Sequence, residues 1–200
     1  MKNSTLYLVD VDGVIVTGRP GDQAPWWTDL QTHFGCTKAD LQKHFFQPYW
    51  QDIVCGRDRL LPRLEQALWK MKKDIAAEGL RDFWFRNDAH VNVGVCAWMD
   101  RQRAAGHRVM LATNQDHSRA AFLLEELRLK DHCDGAYTSA ALGVAKPDSA
   151  FFDAIAKSER RAAGDLVLID DSPANVAAAQ GCGWRAIHYT GQSPEALTLQ

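Results

Sequence analysis

Four separated stretches of this chain carry residues that could do chemistry together. Asp10 and Asp12 flank Val11 and precede Gly13, Thr113 and Asn114 stand side by side, Lys146 precedes Pro147, and Asp170 and Asp171 are adjacent. Two carboxylates held close repel by up to about 4 kcal/mol at 4 Å in an effective dielectric near 20. A fold keeps such a pair where a cation or a reaction uses it. Taken singly, each stretch has a plainer reading. The first is an acidic turn after a strand, the second a polar strand end, and Lys146 a surface lysine before a proline turn. Asp170 and Asp171 could simply cap the helix that opens near Pro173. Together, and in this order, they make a carboxylate cluster with one lysine.

The elements that must position these residues alternate between strands and helices. Leu6 to Val9 is a continuous apolar run, as in a parallel strand buried on both faces, and Gly13 lets the chain turn after it. Arg108 to Asn114, Gly135 to Ser139, Asp165 to Asp171 and Arg185 to Tyr189 read as further strands. Helices are expected over Val91 to Ala105, Ser118 to Leu129, Ser149 to Lys157, and from Pro173 to Gly181. In an open sheet of this kind, ligands gather at the carboxyl ends of the strands, where all four stretches fall. The fold class is therefore α/β: a doubly wound, Rossmann-like parallel-sheet core with a small all-helical cap domain. The core takes residues 1–17 and 88–200 and the cap 18–87, with hinges at Thr17-Gly18 and Asn87-Asp88.

Within the cap, Thr37 to Asp40 reads as a helix start, with an acid three residues past a threonine cap, and Pro62 opens another helix that presents Leu64, Leu68 and Met71 on one face. Trp26, Trp27, Trp50, Trp69 and Trp84 read as helix–helix packing in preference to a ligand-stacking wall. Lys70, Lys72 and Lys73 read as a solvated helix face. Net charge is −2, with 46% hydrophobic residues in 200. That leaves room for a sizeable core and gives no basic patch for nucleic acid or membrane. No apolar h-region or membrane-length run is present, so the expected location is cytoplasmic. The five cysteines show no CxxC and read as free thiols, and the seven histidines show no zinc spacing.

With these motifs in order, the chain resembles the haloacid dehalogenase (HAD) superfamily of hydrolases, in its phosphatase-like branch with a helical cap after the first strand. The likeness runs from Leu6 to Tyr189 and is most specific over Thr138 to Phe152 and Leu168 to Val176. The resemblance implies a Mg²⁺-dependent phosphatase acting on a small phosphomonoester, a sugar phosphate or similar, through an aspartyl-phosphate. On that pattern Asp10 is the nucleophile. Asp12 is the general acid and base, its carboxyl kept protonated by partial burial under the cap and by neighbouring acids. Thr113, Asn114 through its backbone N–H, and Lys146 hold the phosphoryl group. Asp10, the Asp12 carbonyl and Asp171 bind the metal, with Asp170 reaching it through water; the sequence does not rank the last two.

Other readings stay open on the sequence. A phosphomutase of the β-phosphoglucomutase type shares the core, and a catalytically silent binding protein shares the fold. A phosphonatase-like enzyme would need a cap lysine, and Lys38 and Lys43 sit in no recognisable motif. A dinucleotide enzyme is set aside, because the first turn lacks GxGxxG and offers acids where a pyrophosphate would sit. Gly56 and Arg57, in a cap loop, are the candidates for choosing the substrate. The partner expected is a small phosphorylated metabolite, bound by a monomer or homodimer.

Overall fold

The computed structural model describes residues 4–197, so the outermost positions of the expected core, 1–3 and 198–200, lie outside it. Five parallel strands form one sheet in the order β3-β2-β1-β4-β5. They are β1 (Leu6–Val9), β2 (Arg108–Thr113), β3 (Ala136–Thr138), β4 (Leu166–Asp170) and β5 (Arg185–His188). Period-2 alternation sorts their side chains. Tyr7, Val9, Val109, Leu111, Val167 and Ile169 pack on one face with Val95, Trp98 and Met99. Leu6, Leu8, Met110, Leu166 and Leu168 pack on the other with Phe151, Phe152, Ile155 and Trp184. Both faces are covered, which is why the strands read as unbroken apolar runs.

Register decides where the polar strand ends arrive. Val9 is level with Leu111 on one side and Ile169 on the other. Asp10 and Asp170 are therefore next to each other at the carboxyl edge, and the Asp10 N–H donates to the Ile169 carbonyl at 2.9 Å.

Between β1 and β2 lie α1 (Leu30–Phe34), α2 (Lys38–Leu41), α3 (Gln47–Val54), α4 (Leu60–Lys70), α5 (Ala77–Asn87) and α6 (Val93–Ala104), with a π turn, Gln42–Phe46, joining α2 to α3. The first five share a core of their own that includes Trp26, Leu30, Phe45, Leu64, Leu80 and Trp84. The chain leaves the sheet and returns along paired backbones: Thr17 N–H donates to His90 O, and Ala89 and His90 N–H donate to Gly18 O. Val16 and Val91 form an antiparallel bridge. That bridge starts α6 later than expected, with the Asn92 side chain capping Gly94 and Val95.

Other expectations need correction. Thr37 does build a capping box with Asp40, but α4 begins two residues before Pro62, whose missing N–H still falls among the unbonded first-turn groups. Helix α4 ends at Lys70; Lys72 takes a left-handed φ of 54° and Lys73 reaches the Gly35 carbonyl, so the three lysines do not share a helix face. Trp69 stands 78% exposed and takes no part in the aromatic packing. The helix expected over Ser118 to Leu129 begins at His117 as α7 (His117–Ala121), capped by Asp116, continues without a break as a π turn, Phe122–Glu126, and so ends three residues early. Helices α8 (Ser139–Leu142), α9 (Ser149–Glu159) and α10 (Pro173–Gly181) alternate with the later strands. Among the described residues no helix is long and apolar enough to cross a membrane.

All five cysteines are free, and Cys36, Cys55, Cys96 and Cys133 are buried. Burial, with Asp100 nearby, pushes the Cys96 thiol up to about 11. The folded protein at pH near 8 should alkylate at Cys182 alone and at all five thiols after denaturation. Rapid native labelling of the four buried cysteines, read by mass spectrometry, would contradict this packing.

Candidate active site

The site starts with the turn that follows β1. The Val11 carbonyl accepts from Val14, Ile15 and Val16 N–H, at 3.2, 2.8 and 2.8 Å, which closes one tight turn and buries those side chains. Asp10 stays at the buried root of that turn, while Asp12 and Gly13 ride on its outer edge. Gly13 has a left-handed φ of 81°, and a Cβ there would overlap the Asp171 carboxylate. Glycine is needed for both reasons.

Lys146 ties the strand ends together. Its ammonium, with a side chain only 1% exposed, contacts Asp10 Oδ2 at 3.0 Å and Asp170 Oδ2 at 2.6 Å. Its third proton goes to the Ala112 carbonyl at 2.7 Å. The lysine backbone is clamped in turn: the Asn114 side chain donates to Lys146 O at 2.8 Å and accepts from Lys146 N–H at 2.9 Å. This grip is the contact the structure gives the Asn114 side chain.

Asp170 is fully buried, and its second oxygen accepts from Ser172 N–H and Asn175 Nδ2, both at 2.9 Å. Asp171 is exposed beside Gly13. Ligand oxygens of Asp10, Asp170 and Asp171 come within 4.8 Å of one another. Hard carboxylate oxygens at that spacing fit Mg²⁺. Electrostatics agree with the need for a cation. Burial pushes the Asp10 carboxyl up to about 7, Lys146 opposing and Asp170 and Asp12 adding to the rise. Burial and Asp170 raise Asp171. Burial alone would lower the Lys146 pKa, but Asp10 and Asp170 outweigh it and hold it above its usual value.

Asp12 departs from expectation. Its side chain is 52% exposed, so the helical insert does not bury it. It is held instead by Gln115, whose amide donates to Asp12 Oδ2 at 2.5 Å and lies 3.4 Å from the Thr113 hydroxyl. Thr113 itself is buried at the end of β2. Behind Asp12 stands Arg119, which the sequence reading passed over. Its side chain is 2% exposed and packs over the Phe85 and Phe122 rings. It donates to the Phe85 and Asp88 carbonyls. One guanidinium nitrogen, Nη2, lies 3.5 Å from Asp88 Oδ2 and 3.9 Å from Asp12 Oδ1. Burial and Asp12 push Asp88 up to about 6, against Arg119. The available signal was a cationic residue three and four positions before Phe122 and Leu123, on the face of the helix that should be apolar.

Gly56 and Arg57 are at the contact between the insert and α8, outside the carboxylate cluster. A Cβ on Gly56 would overlap the Ala140 carbonyl. The Arg57 guanidinium contacts Asp52 at 2.8 Å, the Gly143 carbonyl at 3.3 Å and the Gln51 carbonyl at 3.4 Å.

Known proteins share this fold. A solved HAD family enzyme of Bacteroides thetaiotaomicron, in complex with magnesium and inorganic phosphate, superposes with a TM-score of 0.80 over 95% of this chain and 96% of that one, at 15% identity. A HAD-like family hydrolase of Porphyromonas gingivalis gives 0.73 over 92% and 90%, at 19% identity. At such identities the likeness is one of fold. A 70-residue stretch is 33% identical to the sesquiterpene phosphatase astK of Aspergillus oryzae and spans 35% of this chain but only 36% of that protein. The haloacid dehalogenase-like hydrolase model matches residues 5–183, nearly the whole chain. With the sheet, the turn and the lysine-bridged carboxylates in place, the chain belongs to the haloacid dehalogenase-like hydrolases.

Proposed function

We propose that the protein is a Mg²⁺-dependent phosphatase that cleaves a small phosphomonoester through an aspartyl-phosphate on Asp10. The observation that carries this reading is the pair of unlike aspartates on one turn. Asp10 is buried against Lys146, and Asp12 is exposed and oriented by Gln115. A nucleophile must be fixed and partly neutralised, whereas a proton carrier must reach the leaving group and then water.

In the first step an Asp10 carboxylate oxygen forms a bond to phosphorus as the bond from phosphorus to the alcohol oxygen breaks. Asp12 gives its proton to that oxygen. In the second step Asp12 takes a proton from water, the water oxygen attacks phosphorus, and the carboxylate of Asp10 leaves. Lys146 offsets negative charge on Asp10 throughout, and the Thr113 hydroxyl and Asn114 N–H bind phosphoryl oxygens. Asp10, Asp171 and the Asp12 carbonyl would hold Mg²⁺, which supplies charge neutralisation at the transferring phosphoryl group. Asp170 has each carboxylate oxygen engaged, one by Lys146 and the other by Ser172 and Asn175, which favours a link through water. Residues 18–87 act as the cap, and Gly56 and Arg57 fasten it to Ala140 and Gly143.

The defining assay is phosphate release from an aryl and an alkyl phosphate. Asp10→Asn should lower kcat by about four orders of magnitude or more on both, as loss of a nucleophile does. Asp12→Asn should cost about 10²–10⁴-fold in kcat/KM, which reports formation of the aspartyl-phosphate, on the alkyl ester and much less on the aryl ester, whose leaving group needs no proton. Equal losses on the two esters would remove Asp12 from the acid role, and activity surviving Asp10→Asn would remove the nucleophile.

A pH dependence follows from Asp10. Its folded pKa of about 7 lies above the unfolded value of about 3.9. In the metal-free protein its contribution to stability is therefore full below about pH 4 and is lost as pH rises through 7. Mg²⁺ needs the carboxylate, so its affinity should climb across that same interval with release of a proton. Calorimetry at about pH 6 and pH 8 checks it, and equal affinities would count against a metal-bound Asp10.

A further inference from the structure

Asp88 stands between the proposed general acid and a pocket of aromatic rings. It shares the Arg119 Nη2 nitrogen with Asp12, and it lines a space of about 230 Å³ walled by Trp26, Trp27, Phe46, Trp50 and Trp84. A second space of about 310 Å³ shares Trp26, Trp27 and Asp88 and reaches Thr17 and Gly18, on the strand pair that leads out of the catalytic turn. These rings do pack on each other: Trp26 stacks on Trp84 at 5.2 Å, and Trp84 meets Trp50 at 5.6 Å. Yet they leave a cleft of about 230 Å³ open between them, with Asp88 on its wall. The Trp84 indole N–H lies close enough to Asp88 to oppose part of the rise that burial causes in its pKa, but it is buried and completes no hydrogen bond. The Lys38 ammonium sits 3.7 Å from the Trp27 ring centroid. It already occupies the face that an organic cation would seek and repels one.

We propose that this pocket receives the apolar part of the substrate, so that the phosphate removed is borne by an alcohol with a hydrocarbon or aromatic group in place of a polyhydroxylated one. The proposal rests on the phosphatase reading above and narrows its substrate class. Phosphate chemistry takes place at Asp10, Asp12 hands its proton to the ester oxygen, and the carbon skeleton runs past Asp88 into the ring-lined space. Apolar surface is buried there without stranding a hydroxyl.

Two primary alkyl esters of similar leaving-group acidity, cyclohexylmethyl phosphate and glycerol phosphate, test it with Mg²⁺ present. Wild type should favour the cyclohexylmethyl ester by about tenfold or more in kcat/KM, the size of discrimination that a hydrophobic pocket gives. Gln42 lines the pocket from an exposed position, so Gln42→Trp fills it without disturbing the buried rings and should abolish most of that preference. Trp27→Ala should weaken it too. Equal efficiency on the two esters, or a preference that survives both substitutions, would overturn the pocket assignment.

Calorimetry of both esters on Asp10→Asn separates this from failure of the chemistry. Tighter binding of the apolar ester without wild-type turnover overturns the phosphatase reading and keeps the pocket. Turnover of both esters with equal binding overturns the pocket and keeps the phosphatase. Neither turnover nor binding overturns both.

Discussion

One buried ammonium holds this site together. Lys146 spends its three protons on Asp10, Asp170 and the Ala112 carbonyl, and these groups sit on three different, adjacent strands. Without it, two buried carboxylates would face each other with no counter-charge. Removing one partner from such a cluster typically costs about 3–5 kcal/mol, a large part of a domain's stability. The sheet register exists in a form that makes the contact possible, since Val9, Leu111 and Ile169 are level. The Asn114 clamp on the Lys146 backbone then fixes where the ammonium enters.

The turn after β1 separates two aspartates that are chemically the same. Asp10 remains on the strand axis and is buried, and Asp12 is swung outward into reach of Gln115 and Arg119. Gly13 makes that division possible by leaving space for Asp171. Arg119 adds a second buried cation, and its partners are the C-terminal end of α5 and Asp88. Asp12 therefore senses the helical insert through a single side chain, and movement of α5 relative to the sheet would change the charge facing the acid.

Much of this was legible in the sequence. Apolar runs ending in polar residues located β1, β2 and β4, while the sheet order that sets Asp10 beside Asp170 is seen only in the fold. The parts that stayed hidden depend on three-dimensional partners. Nothing in Asn114 announces that its side chain will hold the Lys146 backbone, because the two are 32 positions apart. Arg119 drew no reading from the sequence, yet it is one of the most buried side chains, since the end of α5 brings carbonyls to it. The tryptophans were read as packing, which holds for Trp26 and Trp84, but composition alone gives no hint that the rings leave a space open toward Asp88. Lys72 and Lys73 were misplaced because helix periodicity cannot see the left-handed residue that ends α4's last turn.

The nucleophile assignment is tested most directly by catching the covalent intermediate. Enzyme in excess is mixed with an alkyl phosphate and Mg²⁺, quenched in acid within one turnover, digested, and analysed by mass spectrometry. One phosphoryl group on the peptide carrying Asp10, appearing before free phosphate and decaying as free phosphate accumulates, is the expected result. A phosphoryl group on another residue would contradict the assignment of Asp10. Phosphate release with no labelled peptide at any quench time would contradict the two-step mechanism itself.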